Sequence, residues 1–412
     1  MKKAMIVIVL FLCAMNISHA ANNPKVKTGA DLLFTKYFKY IKGKKIGVIT
    51  NPTGILSDGR YLVDALYENK DVEVVALFGP EHGIRADTTG AVKNSTDPLT
   101  GIPIFSLYGK TYKPTPVMMK NIDVLIFDIQ DVGARFYTFI STLGFAMEAA
   151  SEKGIPIIVL DRPNPIRGEY VDGPVAQDSM ESFVAYAPIP TAYGMTIGEL
   201  ALMYNREGWL HNGKKCDLIV AKMEGWKRNL WYDQTGLKWI KPSPNMASLT
   251  TAIVYPGTCI FEGTNVSEGR GTDKPFEYIG APWLNAVKAA DELNNYNLKG
   301  VKFEAIHVTP VKTPNSATKP KYFDQKCNDI YVKVTDRNIF KPIESAIYLL
   351  WEIKKNNPES FKWREKAFDM LCGTPEVRMM LDAGKSPEEI ISSWQKGLDK
   401  FKKIRSRYLL YN

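Results

Sequence analysis

Between Lys45 and Asp161 the chain alternates two hydrophobic patterns. Short apolar runs predict strands: KIGVIT (45–50), VEVVALF (72–78), IPIFSLY (102–108), DVLIFDI (123–129) and PIIVLD (156–161). Stretches near 61–68 and 138–153 predict helices between them. The best strand runs are continuous and β-branched rather than alternating, the pattern of strands buried on both faces. The fold expected is therefore a parallel sheet with helices on either side. A helix over 196–207, N-capped by Thr196, and a strand over 217–223 extend the same unit.

The pattern changes after Lys241. Residues 241–282 are rich in Pro, Gly, Thr and Asn and read as long ordered loops. Strands near 301–309 and 329–334, then helices near 343–354, 364–371 and 387–405, describe a smaller α+β unit packed beside the first. A length of 412 residues suits two or three domains.

The first twenty residues, MKKAMIVIVLFLCAMNISHA, place two lysines before a short apolar run and end in Ser18-His19-Ala20. This is the layout of a signal peptide cleaved after Ala20. Leu12 is too bulky for a lipid-attachment motif at Cys13, so soluble export to a periplasm or the medium is expected. No later run is apolar for eighteen residues, so no membrane span is expected after cleavage. Losing Lys2 and Lys3 lowers the net charge from +9 to +7. The lysines are scattered apart from clusters at 42–45 and 400–407, and a nucleic-acid partner is not expected. Cys216, Cys259, Cys327 and Cys372 lie 43, 68 and 45 residues apart, spacings that match no zinc or redox motif.

In an open parallel sheet, ligands bind beyond the carboxyl ends of the strands. Three polar segments follow such ends: GPEHGIRAD after Phe78, QDVGARFYT after Ile129, and RPNPIRG after Leu160 or Asp161. There is no Gly-x-Gly-x-x-Gly after the first strand and no phosphate-loop motif, which argues against dinucleotide and nucleoside triphosphate sites. No Gly-x-Ser-x-Gly elbow is present, which argues against a serine triad. His82 has only Glu81, Asp128 and Asp131 as imaginable metal-binding companions, so no metal is expected.

Carboxylates remain as the candidate chemistry. Glu81 sits in a turn at a strand end, as a turn residue or a cleft acid. Asp128 lies inside an apolar run, where an ionised carboxylate needs partners. Gln130, Asp131, Arg135 and Tyr137 combine a guanidinium fork with groups suited to sugar hydroxyls and an aromatic face. Asp161, Arg162 and Asn164 form a further polar set between prolines. Glu262, Asn265, Glu268, Arg270 and Asp273 lie among three glycines, either as a mobile loop or as backbone allowing close approach to a ligand. Glycosidic cleavage needs two such carboxylates, one to protonate the leaving oxygen and one to attack or to activate water.

Taken in order, NPTG (51–54), LFGPEHGIRAD (77–87), FDIQDVGARFYTFISTL (127–143), VLDRPNPI (159–166), YPGTCIFEGTNVSEGRGTDKPFEYIGAPW (255–283) and FDMLCGTPEVRMMLDAG (368–384) resemble the NamZ-like (YbbC-like) exo-β-N-acetylmuramidases. The resemblance spans nearly all of the chain after the leader. It implies a Rossmann-like catalytic domain, here residues 21–255, and a C-terminal α+β accessory domain, residues 256–412, that contributes loops to the cleft. It also implies removal of N-acetylmuramic acid from the non-reducing end of peptidoglycan fragments, without a cofactor. The matching positions are Glu81, His82, Asp128, Gln130, Asp131, Arg135, Tyr137, Asp161, Arg162, Asn164, Glu262, Asn265, Glu268 and Arg270. Glu81 is the expected acid/base, His82 its helper, and Asp131, Asp128 or Glu262 the second carboxylate. Muramic acid carries a lactyl carboxylate, for which Arg135 and Arg270 are the candidate forks. A non-catalytic binder of wall fragments and a metal-dependent hydrolase or deacetylase are the alternatives.

Overall fold

The computed structural model describes residues 26–85, 93–313 and 316–412. The expected leader lies outside the described residues, as do Ala86 and Asp87 at the end of the Glu81 motif. Nine strands come from the first part of the chain: β1 (Lys45–Thr50), β2 (Glu73–Gly79), β3 (Ser95–Thr96), β4 (Pro103–Ser106), β5 (Val124–Asp128), β6 (Ile157–Leu160), β7 (Val171–Val175), β8 (Pro190–Tyr193) and β9 (Leu218–Ala221). Seven of them form one sheet in the order β3-β4-β2-β1-β5-β6-β9. Every pairing in it is parallel except the short edge strand β3 against β4. All residues of β5 and β6 are buried, which is why those runs show no polar alternation.

Three further strands, β10 (Tyr278–Ala281), β11 (Val301–Val308) and β12 (Cys327–Val334), form an antiparallel sheet in the order β10-β12-β11. Helix Ala286–Asn295 packs on this sheet and helix Pro342–Asn356 packs against that helix, and one apolar core runs from the sheet into the face of the large sheet that carries helix Phe139–Lys153. The architecture is α/β, with a Rossmann-like parallel sheet and a smaller α+β region.

Residues 249–258, taken from sequence as loop, form a helix. Its Thr, Ile, Val and Pro content disfavours helix, so tertiary packing decides. Ser248 caps it, accepting from the Thr251 amide at 3.1 Å. Gly257 then lets it meet helix Pro342–Asn356 at backbone distance: a Cβ there would lie 2.0 Å from the Pro342 carbonyl oxygen. The predicted helix at 387–405 is two helices, Pro387–Ser393 and Gln395–Arg405, broken at Trp394. The Trp394 indole donates to Asp172 of β7 at 3.2 Å. Helix Glu376–Asp382 was not expected.

The end of the chain returns to the large sheet. The Tyr411 hydroxyl donates to Asp161 Oδ2 at 2.5 Å, just beyond β6, and accepts from the Met223 amide at 2.9 Å. All four described cysteines are free and buried. Among the described residues no helix is long and apolar enough to cross a membrane.

Candidate active site

The turn after β2 is closed by the Gly83 amide donating to the Pro80 carbonyl at 3.0 Å. Within it His82 adopts φ 74°, a left-handed conformation that costs a residue with a Cβ about 1–2 kcal/mol. Strain of this kind concentrates at functional sites. The Tyr61 hydroxyl lies between the carbonyls of Ile84 (2.5 Å) and Asn51 (2.7 Å), tying the segment after the turn to the end of β1. Arg85 is anchored on Asp97 at 2.7 Å and Asp64 at 2.8 Å.

Glu81 thereby faces a cleft of about 240 Å³. From the loop after β5 the Thr138 hydroxyl donates to Glu81 Oε2 at 3.1 Å. The Tyr108 hydroxyl, just beyond β4, also lies against Glu81; burial first, then that carboxylate, push its ionisation well up. Burial is the main reason the His82 imidazole is held below its usual pKa, reinforced by Arg270 and opposed by Glu81. His82 is therefore neutral near pH 7, and its Nδ1 is buried without a hydrogen-bond partner.

The opposite wall comes from the segment that follows helix Leu249–Thr258. Tyr255 of that helix packs edge-on against Tyr137, with ring centres 5.7 Å apart, and Cys259 follows one turn later. Glu262 accepts from Arg270 Nη2 at 2.6 Å. The Arg270 Nε lies 3.4 Å from Glu268, and the guanidinium stands 5.0 Å above the Phe276 ring. Burial opposes the charge on Arg270, but Glu262 and Glu268 outweigh it and hold the group protonated more firmly than usual. Gly269 and Gly271, at φ 76° and 84°, supply the left-handed backbone that turns Arg270 inward. The Tyr137 hydroxyl is buried beside Ser243 without a well-formed hydrogen bond, and Asn245 Oδ1 is buried and unpaired. Unpaired buried polar atoms around a cleft mark where a polar ligand would complete the bonding.

Five of the expected residues meet in this cleft: Glu81, His82, Tyr137, Glu262 and Arg270. Glu268 stands behind them, accepting from Lys321 at 2.9 Å. The remaining residues are placed elsewhere. Arg135, a candidate fork for a ligand carboxylate, is fully buried and donates to the carbonyls of Pro174 (2.8 Å), Ile189 (2.9 Å) and Leu371 (2.8 Å). Burial lowers its pKa to about 10. Asp128 is fully buried in a two-pronged pair with Arg162, at 2.6 and 2.8 Å; burial raises the Asp128 pKa against that pair.

Asp131 accepts from the Tyr193 hydroxyl and from the Gly133 amide, and burial raises it to about 6. Gln130 donates to the carbonyls of Asp131 and Pro163, both at 2.7 Å. Asp161 accepts from Thr196 and the Gly198 amide at the start of helix Ile197–Glu207, each at 2.8 Å, and burial raises it to about 7. Asn164 holds the Met195 carbonyl at 3.0 Å, and Asn265 holds Ser360 and Lys362 backbone at 2.8 Å each. Most of the third strand-end segment is thus fastening; Arg162 also lines a second cavity of about 290 Å³ with Thr53, Tyr232 and Lys238. There the Tyr232 hydroxyl is engaged by the Lys238 carbonyl and Arg162 by Asp128, unlike the open groups around Glu81.

Sequence reasoning missed Tyr108, Thr138, Ser243 and Asn245. Tyr108 closes the strand-like run IPIFSLY, so the strand-end argument that found Glu81 also reaches it. Thr138 ends the quoted QDVGARFYT. Ser243 and Asn245, in KPSPNM, carry no such signal. Among the described residues no three His, Cys, Asp or Glu side chains are grouped to hold a metal ion.

Residues 46–250 match the N-terminal domain, and residues 253–411 the C-terminal domain, of exo-β-N-acetylmuramidase NamZ. The chain belongs to the NamZ family. It is 46% identical over 397 residues to the peptidoglycan β-N-acetylmuramidase NamZ of Bacillus subtilis (strain 168), covering 96% of this chain and 93% of that protein. Two crystal structures of DUF1343 family proteins from Bacteroides fragilis NCTC 9343 share the NamZ-family fold. One is 40% identical with a TM-score of 0.87, the other 36% with 0.78, each covering 94% of this chain and 99% of the other.

Proposed function

We propose that this NamZ-family member is an exo-acting glycoside hydrolase that releases N-acetylmuramic acid from the non-reducing end of peptidoglycan fragments during cell-wall turnover. The observation that carries the reading is one cleft holding Glu81, steadied by Thr138, and Glu262, clamped by Arg270. Acting as general acid, Glu81 gives a proton to the glycosidic oxygen as the bond to the anomeric carbon breaks. Glu262 is the second carboxylate, stabilising the developing positive charge or activating water. Asp128 and Asp131 are less suited to that task, being buried among their own partners. Neutral His82 orients Glu81 without competing for its proton. Arg270, rather than Arg135, takes the lactyl carboxylate, because Arg270 lines the cleft. We further propose export through the leader at residues 1–20 and a division of the two units near Tyr255.

The test is Glu81→Gln assayed for release of muramic acid from a chromogenic muramide. Loss of a general acid/base costs about 10²- to 10⁴-fold in turnover. A folded variant with near-normal turnover removes Glu81 from the mechanism.

A further inference from the structure

Resting on the glycosidase reading, the geometry points to an aromatic surface at the cleft mouth, formed by Tyr108 and Phe183 of the cleft lining and by Tyr112 stacked on Phe183 beside it, as the binding site for the sugar that follows muramic acid in the glycan. Two independent features orient the substrate this way. The first is burial: Phe136, Phe139, Tyr255, Cys259 and Phe276 are nearly inaccessible and form the inner end of the cleft, whereas Tyr108, Phe183 and Val184 are half-buried and form its outer end. An exo-acting enzyme seats the terminal residue at the closed end and passes the rest of the chain outward.

The second is the position of the acid. Glu81 must protonate the oxygen that joins the terminal sugar to the next one, so the departing sugar lies beside whatever neighbours Glu81 on the outer side. That neighbour is Tyr108, whose hydroxyl is against the carboxylate. The Tyr108 ring continues into an aromatic group, with centres 6.0 Å from Phe183 and 5.9 Å from Tyr112. Tyr112 stacks on Phe183 at 4.1 Å and 29°, and remains 37% exposed. Phe145 supports both from beneath, at 6.4 Å from Phe183 and 6.5 Å from Tyr112. Exposed, pre-stacked rings offer a flat apolar face with little ordering cost, suited to the C–H face of a pyranose. The ligand class is therefore a pyranose on the leaving-group side, its C–H face against the rings. The surface sets preference for a sugar leaving group and takes no part in bond breaking.

Tyr112 is the residue to change, because it lies outside the contacts to Glu81 and is partly solvent-exposed. Tyr112→Ala and Tyr112→Phe are compared with the unaltered protein on two substrates: a disaccharide of N-acetylmuramic acid linked to N-acetylglucosamine, and a muramyl fluoride, which has no leaving sugar. The expected result is a loss in kcat/KM for Tyr112→Ala about tenfold greater on the disaccharide than on the fluoride, expressed mainly in KM. Tyr112→Phe, which keeps the ring, restores it. Equal losses on both substrates, or a Phe variant as impaired as Ala, overturn the proposal. If the unaltered protein cleaves neither substrate, the muramidase reading itself falls, an outcome distinct from the other two.

Discussion

Thr138 and Glu81 lie 57 positions apart in the chain and 3.1 Å apart in space, joining the loop after β5 to the turn after β2. Two strand ends thus share one carboxylate. A hydrogen bond from a hydroxyl to a carboxyl oxygen contributes about 0.5–1.5 kcal/mol net. Thr138→Val keeps the shape and removes the donor. Turnover of a muramide is expected to fall about tenfold, with a melting temperature within a few degrees of the parent, as judged by steady-state kinetics and thermal unfolding. Unaltered turnover would show that Glu81 needs no such tether.

Arg135 and Arg270 separate two roles that sequence could not. Arg270→Ala is expected to lower kcat/KM on a muramide at least about tenfold more than on the matching N-acetylglucosaminide, which lacks the lactyl group. Arg135→Ala takes the guanidinium donor from the carbonyls of Pro174, Ile189 and Leu371, of which Ile189 keeps the Ala176 amide at 3.1 Å; each buried acceptor left unpaired costs about 1–3 kcal/mol. It should lower the urea midpoint sharply while leaving selectivity between the two sugars intact in whatever folded fraction remains. A selective loss of the muramide in the Arg135 variant would reverse the assignment.

Asp329 makes a prediction about pH. It sits in β12 opposite Gly280 and Ile306, both carboxylate oxygens are buried without hydrogen-bond partners, and burial raises its pKa to about 7. The folded protein therefore keeps this proton where the unfolded chain, ionising near 3.8, has lost it. The stability it supports is fully present below the unfolded value and is lost as pH rises to the folded one. Asp329→Asn removes this term, so the variant should gain on the parent by about 1.4 kcal/mol for each pH unit across that window. Urea unfolding at three pH values measures the slope; parallel profiles would show that Asp329 is ionised in the folded state.

The large sheet was legible because β1, β2, β5 and β6 are written as uninterrupted apolar runs, a pattern that depends only on burial. Helix Leu249–Thr258 was not, since its stability comes from contact with a helix almost a hundred residues later and its own residues argue against it. The same division runs through the site. Glu81 and His82 stood out by their position at a strand end, and Glu262 and Arg270 by charge among glycines. Arg135, Asp161 and Asn164 carry equal chemical promise in sequence, and only three-dimensional bonding shows their groups spent on backbone and, for Asp161, on the Thr196 and Tyr411 hydroxyls as well. Ser243 and Asn245 enter the cleft from a segment with no periodic signal.

The bond from Tyr411 to Asp161 gives the molecule a particular order of assembly. During synthesis β6 and its neighbours emerge some 250 residues before the partner of Asp161. Until then that carboxylate lacks one of its hydroxyl donors, and the Met223 amide lacks its acceptor. The early-made half of this enzyme is therefore finished by a segment made some 250 residues later, so that this part of the fold is complete only once Tyr411 is in place.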